Sequence, residues 1–204
     1  FSGLVGSVSN LGLENITILG GDGSYFLGGL CGENWHGTIS NCYAAGSVTG
    51  GTYSYYLGGL CGSNDSNTIS NCYATGSVTG GDYSGYLGGL CGRNYYGTIS
   101  NCYSTGSVTG GDDSDFLGGL CGRNYGPISN CYATCSVTGG DGSHYLGGLC
   151  GYNSGTISNC CSTGSVTGGD DSYSLGGLCG RNSSGTISNC YAAGSVTGGD
   201  SSRS

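Results

Sequence analysis

Cysteines are the side chains with the greatest chemical capacity in this sequence, and they number 14 among 204 residues. Thiols form disulfides, ligate metals or act as nucleophiles. No two cysteines have the C-x-x-C spacing typical of zinc sites, and only His36 and His144 could complete one, so structural zinc is disfavoured. This density of cysteine favours disulfides and an oxidising, extracellular or cell-surface location. Twelve of the cysteines recur as pairs: Cys31 and Cys42, Cys61 and Cys72, Cys91 and Cys102, Cys121 and Cys131, Cys150 and Cys160, and Cys179 and Cys190.

The divergent start of the chain suggests how these cysteines pair. Residues 1–26 can be aligned with the later repeats so that Val5 and Ile16 take the places of one cysteine pair. Because both members are then replaced together, the alignment predicts a disulfide inside each repeat. Each would close a loop of about a dozen residues and stabilise the fold by about 2–3 kcal/mol. The remaining Cys135 and Cys161 lie in adjacent repeats, which predicts one bridge between them, with two free thiols as the alternative.

The other reactive side chains are too dispersed for catalysis. Glu14, Glu33 and the two histidines are spread over the repeats, and no insertion holds a nucleophile beside a base. We therefore expect no enzymatic activity, no catalytic residues and no cofactor. One acidic column could hold calcium between repeats, the alternative being carboxylates that point into water. This column consists of Asp22, Asp82, Asp112, Asp141, Asp170 and Asp200.

A single repeat supplies the elements that must position these residues. The segment 27–56 reads LGGLCGENWHGTISNCYAAGSVTGGTYSYY, and 29- or 30-residue copies of it continue to Ser204. We interpret 1–204 as one domain in which residues 1–26 form a divergent first rung and 27–204 form six regular repeats. In the first rung, about four residues are expected to be missing from the middle of the repeat. The regular copies begin at Leu27, Leu57, Leu87, Leu117, Leu146 and Leu175.

The repeat has the local pattern of short strands and tight turns. Segments such as Thr-Ile-Ser and Ser-Val-Thr alternate polar and apolar residues, Gly-Gly pairs separate them, and no helical periodicity occurs. A unit this short cannot bury its own apolar face, whereas stacked units can. The sequence therefore predicts an all-β fold, a β-solenoid of about seven rungs stapled by disulfides, in preference to a propeller or sandwich. We expect Leu30, Ile39 and Val48 to begin interior columns, Asn41 a ladder at a bend, and Gly37 a column of left-handed turns.

The frame GGLCGxN followed by GTISNCYATGSVTGG resembles the GLUG motif. That motif is a short repeat of secreted and surface-attached bacterial proteins, including adhesin-like chains and the non-catalytic region of an immunoglobulin-cleaving peptidase. The resemblance covers residues 27–204 well and 1–26 poorly. It implies an extracellular β-rich array without catalytic residues. The chain departs from the motif at Cys31 and its equivalents, where we expect Val or another aliphatic residue in most members.

Stacking would turn each repeated surface residue into a column. The hydroxyls that begin with Ser47 and Thr49 resemble the ice-binding face of insect and microbial β-solenoids, although Ser and Thr are also common outward residues of strands. Two aromatic columns begin at Tyr43 and Phe26, and the variable loops carry further rings such as Trp35 that could bind sugars. N-glycosylation sequons occur at Asn15, Asn64 and Asn182.

Composition limits the partners of the chain. There are 4 Lys+Arg against 12 Asp+Glu, a net charge of −8, which argues against nucleic acid and anionic membranes. The sequence contains no run of about 20 apolar residues, which is the length that a helix needs to cross a bilayer. Both ends lie in the same phase of the repeat, so we expect copies to stack head to tail. The predicted function is an extracellular structural or adhesive protein that forms a surface fibre. The alternatives are an ice-binding protein and an adhesin module that binds surface glycans.

Overall fold

The computed structural model describes residues 1–203 and folds them into a parallel β-solenoid, which confirms the predicted class. Ser204, the predicted end of the last repeat, lies outside the described residues. Among residues 1–203 we find no helix that could span a membrane. The strands are β1 (Gly3–Ser9), β2 (Gly12–Leu19), β3 (Tyr25–Gly28), β4 (Cys31–Ser40), β5 (Tyr43–Thr49), β6 (Tyr55–Gly58), β7 (Cys61–Asp65), β8 (Thr68–Ser70), β9 (Tyr73–Thr79), β10 (Gly85–Gly88), β11 (Cys91–Tyr95), β12 (Thr98–Ser100), β13 (Tyr103–Thr109), β14 (Leu117–Gly118), β15 (Cys121–Asn124), β16 (Pro127–Ser129), β17 (Tyr132–Ala133), β18 (Ser136–Thr138), β19 (His144–Gly147), β20 (Cys150–Asn153), β21 (Thr156–Ser158), β22 (Cys161–Ser162), β23 (Val166–Thr167), β24 (Tyr173–Gly176), β25 (Cys179–Asn182), β26 (Thr186–Ser188), β27 (Tyr191–Ala192) and β28 (Val196–Thr197).

Three sheets run along the solenoid axis. Sheet I contains β3, β6, β10, β14, β19 and β24. Sheet II contains β1, β4 and the paired short strands that follow β4 in each later turn, from β7 and β8 to β25 and β26. Sheet III contains β2, β5, β9 and β13, and in the later turns the pairs of short strands β17 and β18, β22 and β23, and β27 and β28. Each complete turn passes through sheets I, II and III in that order, so the chain forms about six complete turns after a partial one made by β1 and β2.

Successive turns pair in parallel and in register, so each repeat position becomes a column. Ile39 pairs with Ile69, and Val48 pairs with Val78. Leu30, Ile39 and Val48 are at most 2% exposed, which confirms the three predicted interior columns. A fourth apolar column, represented by Leu57 on sheet I, packs against the valines. A single repeat cannot bury these apolar side chains, but neighbouring turns cover one another, so the repeat is stable only when it is stacked.

The first turn does not follow the register expected from sequence. Val5 pairs with His36, and Ile16 pairs with Gly46, so neither residue occupies a cysteine position. Val5 is 77% exposed. Gly3 pairs with Glu33 and Leu19 pairs with Thr49, so the expected gap of about four residues in the middle of this repeat does not occur. The predicted alignment of residues 1–26 was wrong because this copy has too few repeat residues to fix its register.

Two corner predictions also change. Asn41 and its equivalents are exposed and left-handed, with φ between 52° and 54°, so they form the bend itself and make no buried ladder. Gly37 and its equivalents are not left-handed. A Cβ at Gly37 would meet the carbonyl of Gly6 in the adjacent turn, so close packing favours glycine at this residue, although Asn67 takes the equivalent place in the next turn. The left-handed residue is the one before this position in some later turns, such as Tyr96 with φ 55°.

Candidate functional site

A buried asparagine ladder runs through sheet II at the last position of the LGGLCGxN frame. Each Nδ2 donates to the Oδ1 of the next asparagine at 2.8–2.9 Å, and from Asn64 onwards it also donates to a carbonyl of its own loop. The ladder starts at Asn34, whose Oδ1 has no partner because Leu4 occupies the preceding register position. Its members are Asn34, Asn64, Asn94, Asn124, Asn153 and Asn182.

This ladder fixes the variable loop to the core. Asn94 donates to the Gly97 carbonyl at 2.7 Å, and Asn124 donates to the Gly126 carbonyl at 2.7 Å. A buried amide is tolerated only when it is hydrogen-bonded, and here each internal member satisfies its neighbours as well as itself. Sequence reasoning placed the asparagine ladder at the wrong repeat position. The sequence did contain a signal for the correct position: asparagine recurs in every regular repeat at Asn34 and its equivalents, although the residue before it varies.

The twelve repeated cysteines lie in two columns, one led by Cys31 on sheet II and one by Cys42 at the start of sheet III, and all are buried except the half-buried Cys179 and Cys190. The Cys31 and Cys61 sulfurs are 3.6 Å apart, and the backbone N–H of Cys42 donates to the Cys72 sulfur at 3.4 Å. All 14 cysteines are free thiols in the described residues, so the predicted disulfide staples are not confirmed. The contact between the Cys31 and Cys61 sulfurs joins adjacent turns and does not lie within one turn. Burial raises the pKa of Cys91, which keeps that thiol protonated.

The predicted bridge between Cys135 and Cys161 is not confirmed, because both thiols are free. Cys135 is 1% exposed and packs inside the solenoid against the valine and leucine columns, where burial raises its pKa to about 11. Cys161 pairs with Tyr132 and Tyr191 in the outward tyrosine column. The two side chains therefore lie on opposite faces of sheet III, and a bond between them would require the strand to turn over.

The aspartate column has a structural role. The Asp82 Oδ1 accepts a hydrogen bond from the backbone N–H of Asp112 at 3.0 Å, and the Asp112 Oδ1 accepts one from Asp141 at 3.0 Å. The same bond recurs between the later turns. Backbone donors that point at each carboxylate offset the repulsion between like charges at strand spacing. This geometry accounts for aspartate at the turn without a cation. Among residues 1–203 no group of three or more His, Cys, Asp or Glu side chains is arranged to hold a metal ion.

The two predicted aromatic columns are stacked ladders. In the first, Tyr43, Tyr73, Tyr103 and Tyr132 have ring centroids 4.7–4.8 Å apart, and Cys161 interrupts the series before Tyr191. In the second, at the corner that leads to sheet II, the centroids are 4.8–5.1 Å apart. Parallel stacking at this separation stabilises neighbouring turns beyond simple burial. The second ladder consists of Phe26, Tyr56, Tyr86, Phe116 and Tyr145.

Three of the four arginines lie against this second ladder, and we call the combined surface the arginine–aromatic strip. Arg93 and Arg123 are direct cross-strand neighbours, and Arg181 lies two turns beyond Arg123. Their guanidinium carbons are 4.6 Å from the ring centroid of Tyr56, 4.8 Å from that of Phe116 and 5.7 Å from that of Tyr145, respectively. Sequence reasoning missed the strip, although all three arginines occupy the variable position of LGGLCGxN. Its members are Arg93, Arg123, Arg181, Tyr56, Tyr86, Phe116, Tyr145, Tyr95, Tyr125 and Tyr152.

The hydroxyl columns face outward from sheet III as expected. Ser77 pairs with Ser107, and Thr79 pairs with Thr109, with an inward valine between the two columns. The array is not flat along its whole length. Gly76 and its neighbours have φ between 120° and 148°, which opens a shallow groove beside the serines, and from β17 onwards the strand is split into two.

Accessibility differs among the three sequons. Asn64 is fully buried, and its amide is hydrogen-bonded within the ladder, so the folded chain offers no room for a glycan there. Asn15 and Asn182 are exposed and stay predicted glycosylation sites. The two histidines are far apart in sequence. His36 borders Trp35 within β4, and His144 Nδ1 lies 3.0 Å from Asp115 Oδ1.

Together, the in-register columns and parallel sheets define a parallel β-solenoid repeat protein. A profile of the GLUG motif matches five segments of it, residues 23–49, 53–79, 83–109, 142–167 and 171–197. These segments cover about two thirds of the chain, and the chain belongs to the GLUG-motif family. The unmatched turn between residues 109 and 142 is the one that contains Cys135. Searches of curated proteins and of solved structures returned no match.

Proposed function

We propose that this GLUG-repeat solenoid is a non-enzymatic structural protein of the cell exterior, whose copies stack head to tail into an adhesive surface fibre. The observation that carries the proposal is the in-register pairing of identical turns, because the edge of one turn is complementary to the next turn of any copy. Such a contact is heterologous and does not close on itself, so repetition gives a filament. The cysteine content and the lack of lysine support an exterior location.

The hydrogen-bond pattern says which groups would meet at such a junction. The backbone N–H of Val137 donates to the Ser165 carbonyl, and that of Val166 donates to the Ser195 carbonyl, both at 2.9 Å. Within residues 1–203 the corresponding N–H of Val196 faces away from the preceding turn. In the first turn, the position equivalent to these serines is Thr17. The Val196 N–H of one copy would therefore donate to the Thr17 carbonyl of the next.

Proline at Val196 tests this junction. Val196→Pro removes the outward N–H, which no group in the described part of the chain uses, while Val196→Ala keeps it and shortens the same side chain. Sedimentation velocity over a range of protein concentrations should show large assemblies for the wild type and Val196→Ala, and monomers for Val196→Pro. Circular dichroism of each variant checks that the fold is retained. Wild-type protein that stays monomeric at the highest soluble concentration would contradict the proposal.

Ice binding by sheet III is the second candidate. The outward hydroxyls of Thr75, Ser77 and Thr79 pair in register with the same residue types in the next turn, which gives a repeating array. Thermal hysteresis of the purified protein tests this function directly. Ser77→Tyr would place a bulky ring on the array and should abolish any activity, whereas Ser70→Tyr on sheet II should not.

A further inference from the structure

We propose that the arginine–aromatic strip is a binding site for an acidic polysaccharide. The ligand class is a chain of sugars that carries carboxylates at intervals, such as a polyuronate. This assignment goes beyond the structural role and does not depend on self-association, because the strip lies along the side of the solenoid and not at its ends.

The charge arrangement of the strip lacks counter-ions. Arg93 and Arg123 are adjacent in register, and two like charges directly opposite each other on neighbouring strands are destabilising. Among residues 1–203 the only ion pair is that of His144 with Asp115, so no carboxylate lies within 4 Å of either guanidinium. The acidic residues in this part of the sheet are Glu33, two turns from Arg93 in the same column, and Asp65, which pairs with Tyr95. An external anion bound between the two arginines would replace repulsion with attraction.

The guanidinium groups of the strip lie over aromatic rings, and the Nε of Arg93 donates to the Ser63 hydroxyl at 3.2 Å, which leaves its terminal N–H groups for a ligand. Arg123 is surrounded by the rings of Tyr86, Phe116, Tyr125 and Tyr152, with its central carbon 4.8–5.6 Å from their centroids. Its Nη1 donates to the Tyr86 hydroxyl at 3.1 Å, and its Nε is buried without a partner, so a ligand would be bound through the terminal edge formed by Nη1 and Nη2. A guanidinium oriented by stacking loses little conformational entropy when it binds, and its fork of donors matches a carboxylate in a bidentate manner.

The aromatic rings favour a sugar over other polyanions. Tyr95, which contacts Arg93 at 5.0 Å, is 37% exposed, and the adjacent Tyr96 is 62% exposed. Exposed rings beside oriented polar donors are the usual composition of a site for an amphipathic ligand. The cationic positions recur one and two turns apart, which is about 5 and 10 Å and comparable with one and two sugar units. The net charge of −8 opposes every polyanion, and it opposes a double-stranded nucleic acid most strongly, because the charges of a duplex are only about 1.7 Å apart along its axis.

Affinity electrophoresis and calorimetry test the assignment with three probes: polygalacturonate, hydroxyethylcellulose as a neutral glycan, and polyglutamate as a carboxylate polymer without sugars. We expect the wild type to bind polygalacturonate best and to lose affinity as NaCl is raised. The double variant Arg93→Gln/Arg123→Gln should weaken binding about tenfold or more. Each substitution removes a charge-assisted hydrogen bond between an arginine and a carboxylate of the ligand. Arg203→Gln is the matched control, because Arg203 also covers a ring, that of Tyr173, but lies outside the strip.

Several outcomes would overturn the proposal. The first is that folded wild-type protein does not bind polygalacturonate, and the second is that it binds polyglutamate with equal affinity. The third is that the double variant and Arg203→Gln lose the same amount of affinity for polygalacturonate. Arg123→Lys is a milder second variant that keeps the charge but loses the planar fork, and it should reduce affinity to an intermediate level. The probe comparison and the salt dependence use only the wild type, so they remain decisive if the double variant misfolds.

Discussion

Removal of one internal member of the asparagine ladder should destabilise the fold far more than removal of its last member. Asn94 takes part in three hydrogen bonds: it accepts one from Asn64 at 2.9 Å and donates to Asn124 at 2.8 Å and to the Gly97 carbonyl at 2.7 Å. It is fully buried, so water cannot replace these partners. Asn182 accepts one hydrogen bond and donates one, and it is exposed.

The expected magnitudes follow from these contacts. In Asn94→Ala three bonds worth about 1 kcal/mol each are lost, and the Gly97 carbonyl loses its buried side-chain donor, at a further cost of about 1–2 kcal/mol. The two atoms that lose Asn94, the Nδ2 of Asn64 and the Oδ1 of Asn124, each keep one other hydrogen-bond partner, which limits the loss of stability. We therefore expect Asn94→Ala to lower the free energy of unfolding by about 3–5 kcal/mol. Asn182→Ala should lower it by about 1 kcal/mol, because water can hydrate the groups that it leaves.

Guanidinium unfolding followed by far-UV circular dichroism, under reducing conditions at neutral pH, measures both variants against the wild type. Turns of a solenoid can unfold separately, so the comparison rests on transition midpoints as well as on fitted free energies. Equal midpoint shifts for Asn94→Ala and Asn182→Ala would refute the reasoning. A shift of less than about 1 kcal/mol for Asn94→Ala would do so as well, since it would mean that the ladder is not buried and continuous.

Three further predictions concern the backbone and the thiols. Gly76→Ala should destabilise the solenoid by about 1–3 kcal/mol in thermal unfolding, because φ is 134° and a Cβ would meet the backbone of the previous turn. The control is Gly21→Ala, which should be nearly neutral because a Cβ at Gly21 has free space. After oxidation by glutathione disulfide, peptide mapping should find bonds between turns, such as Cys31 to Cys61, and a predominance of bonds within turns would count against the columns. Burial raises the pKa of Cys135 from 9.0 to about 11, so its contribution to stability is present below pH 9 and lost as pH rises towards 11. Cys135→Ala should flatten that alkaline fall in melting temperature.

The period, the fold class and the apolar interior could be predicted from sequence, because stacking places each position of the repeat in the same environment in every turn. An apolar residue that recurs at a fixed position, such as Leu30 or Ile39, has to face the interior if the copies stack. The first turn could not be predicted in the same way. Its residues match the repeat so poorly that several registers fit, and only the pairing of β1 with β4 decides among them.

The polar columns were harder to predict because repetition alone does not say which way a side chain points. Asn34 and Asn41 both begin asparagine columns, but the first lies inside sheet II and the second forms an exposed left-handed corner. Cysteine spacing likewise fits bonds within a turn or along a column equally well. The arginine–aromatic strip was overlooked because its stacked rings and its arginines lie on either side of a corner, and the sequence does not show that the corner between sheets I and II brings them together.

Cryo-electron microscopy of the concentrated protein tests the central proposal most directly. The account predicts unbranched filaments in which turns of about 4.8 Å continue without a break from one copy into the next. In the density, the Val196 N–H of one copy should lie within hydrogen-bonding distance of the Thr17 carbonyl of its neighbour. Separate short rods of uniform length, or filaments in which copies associate side by side, would contradict head-to-tail stacking.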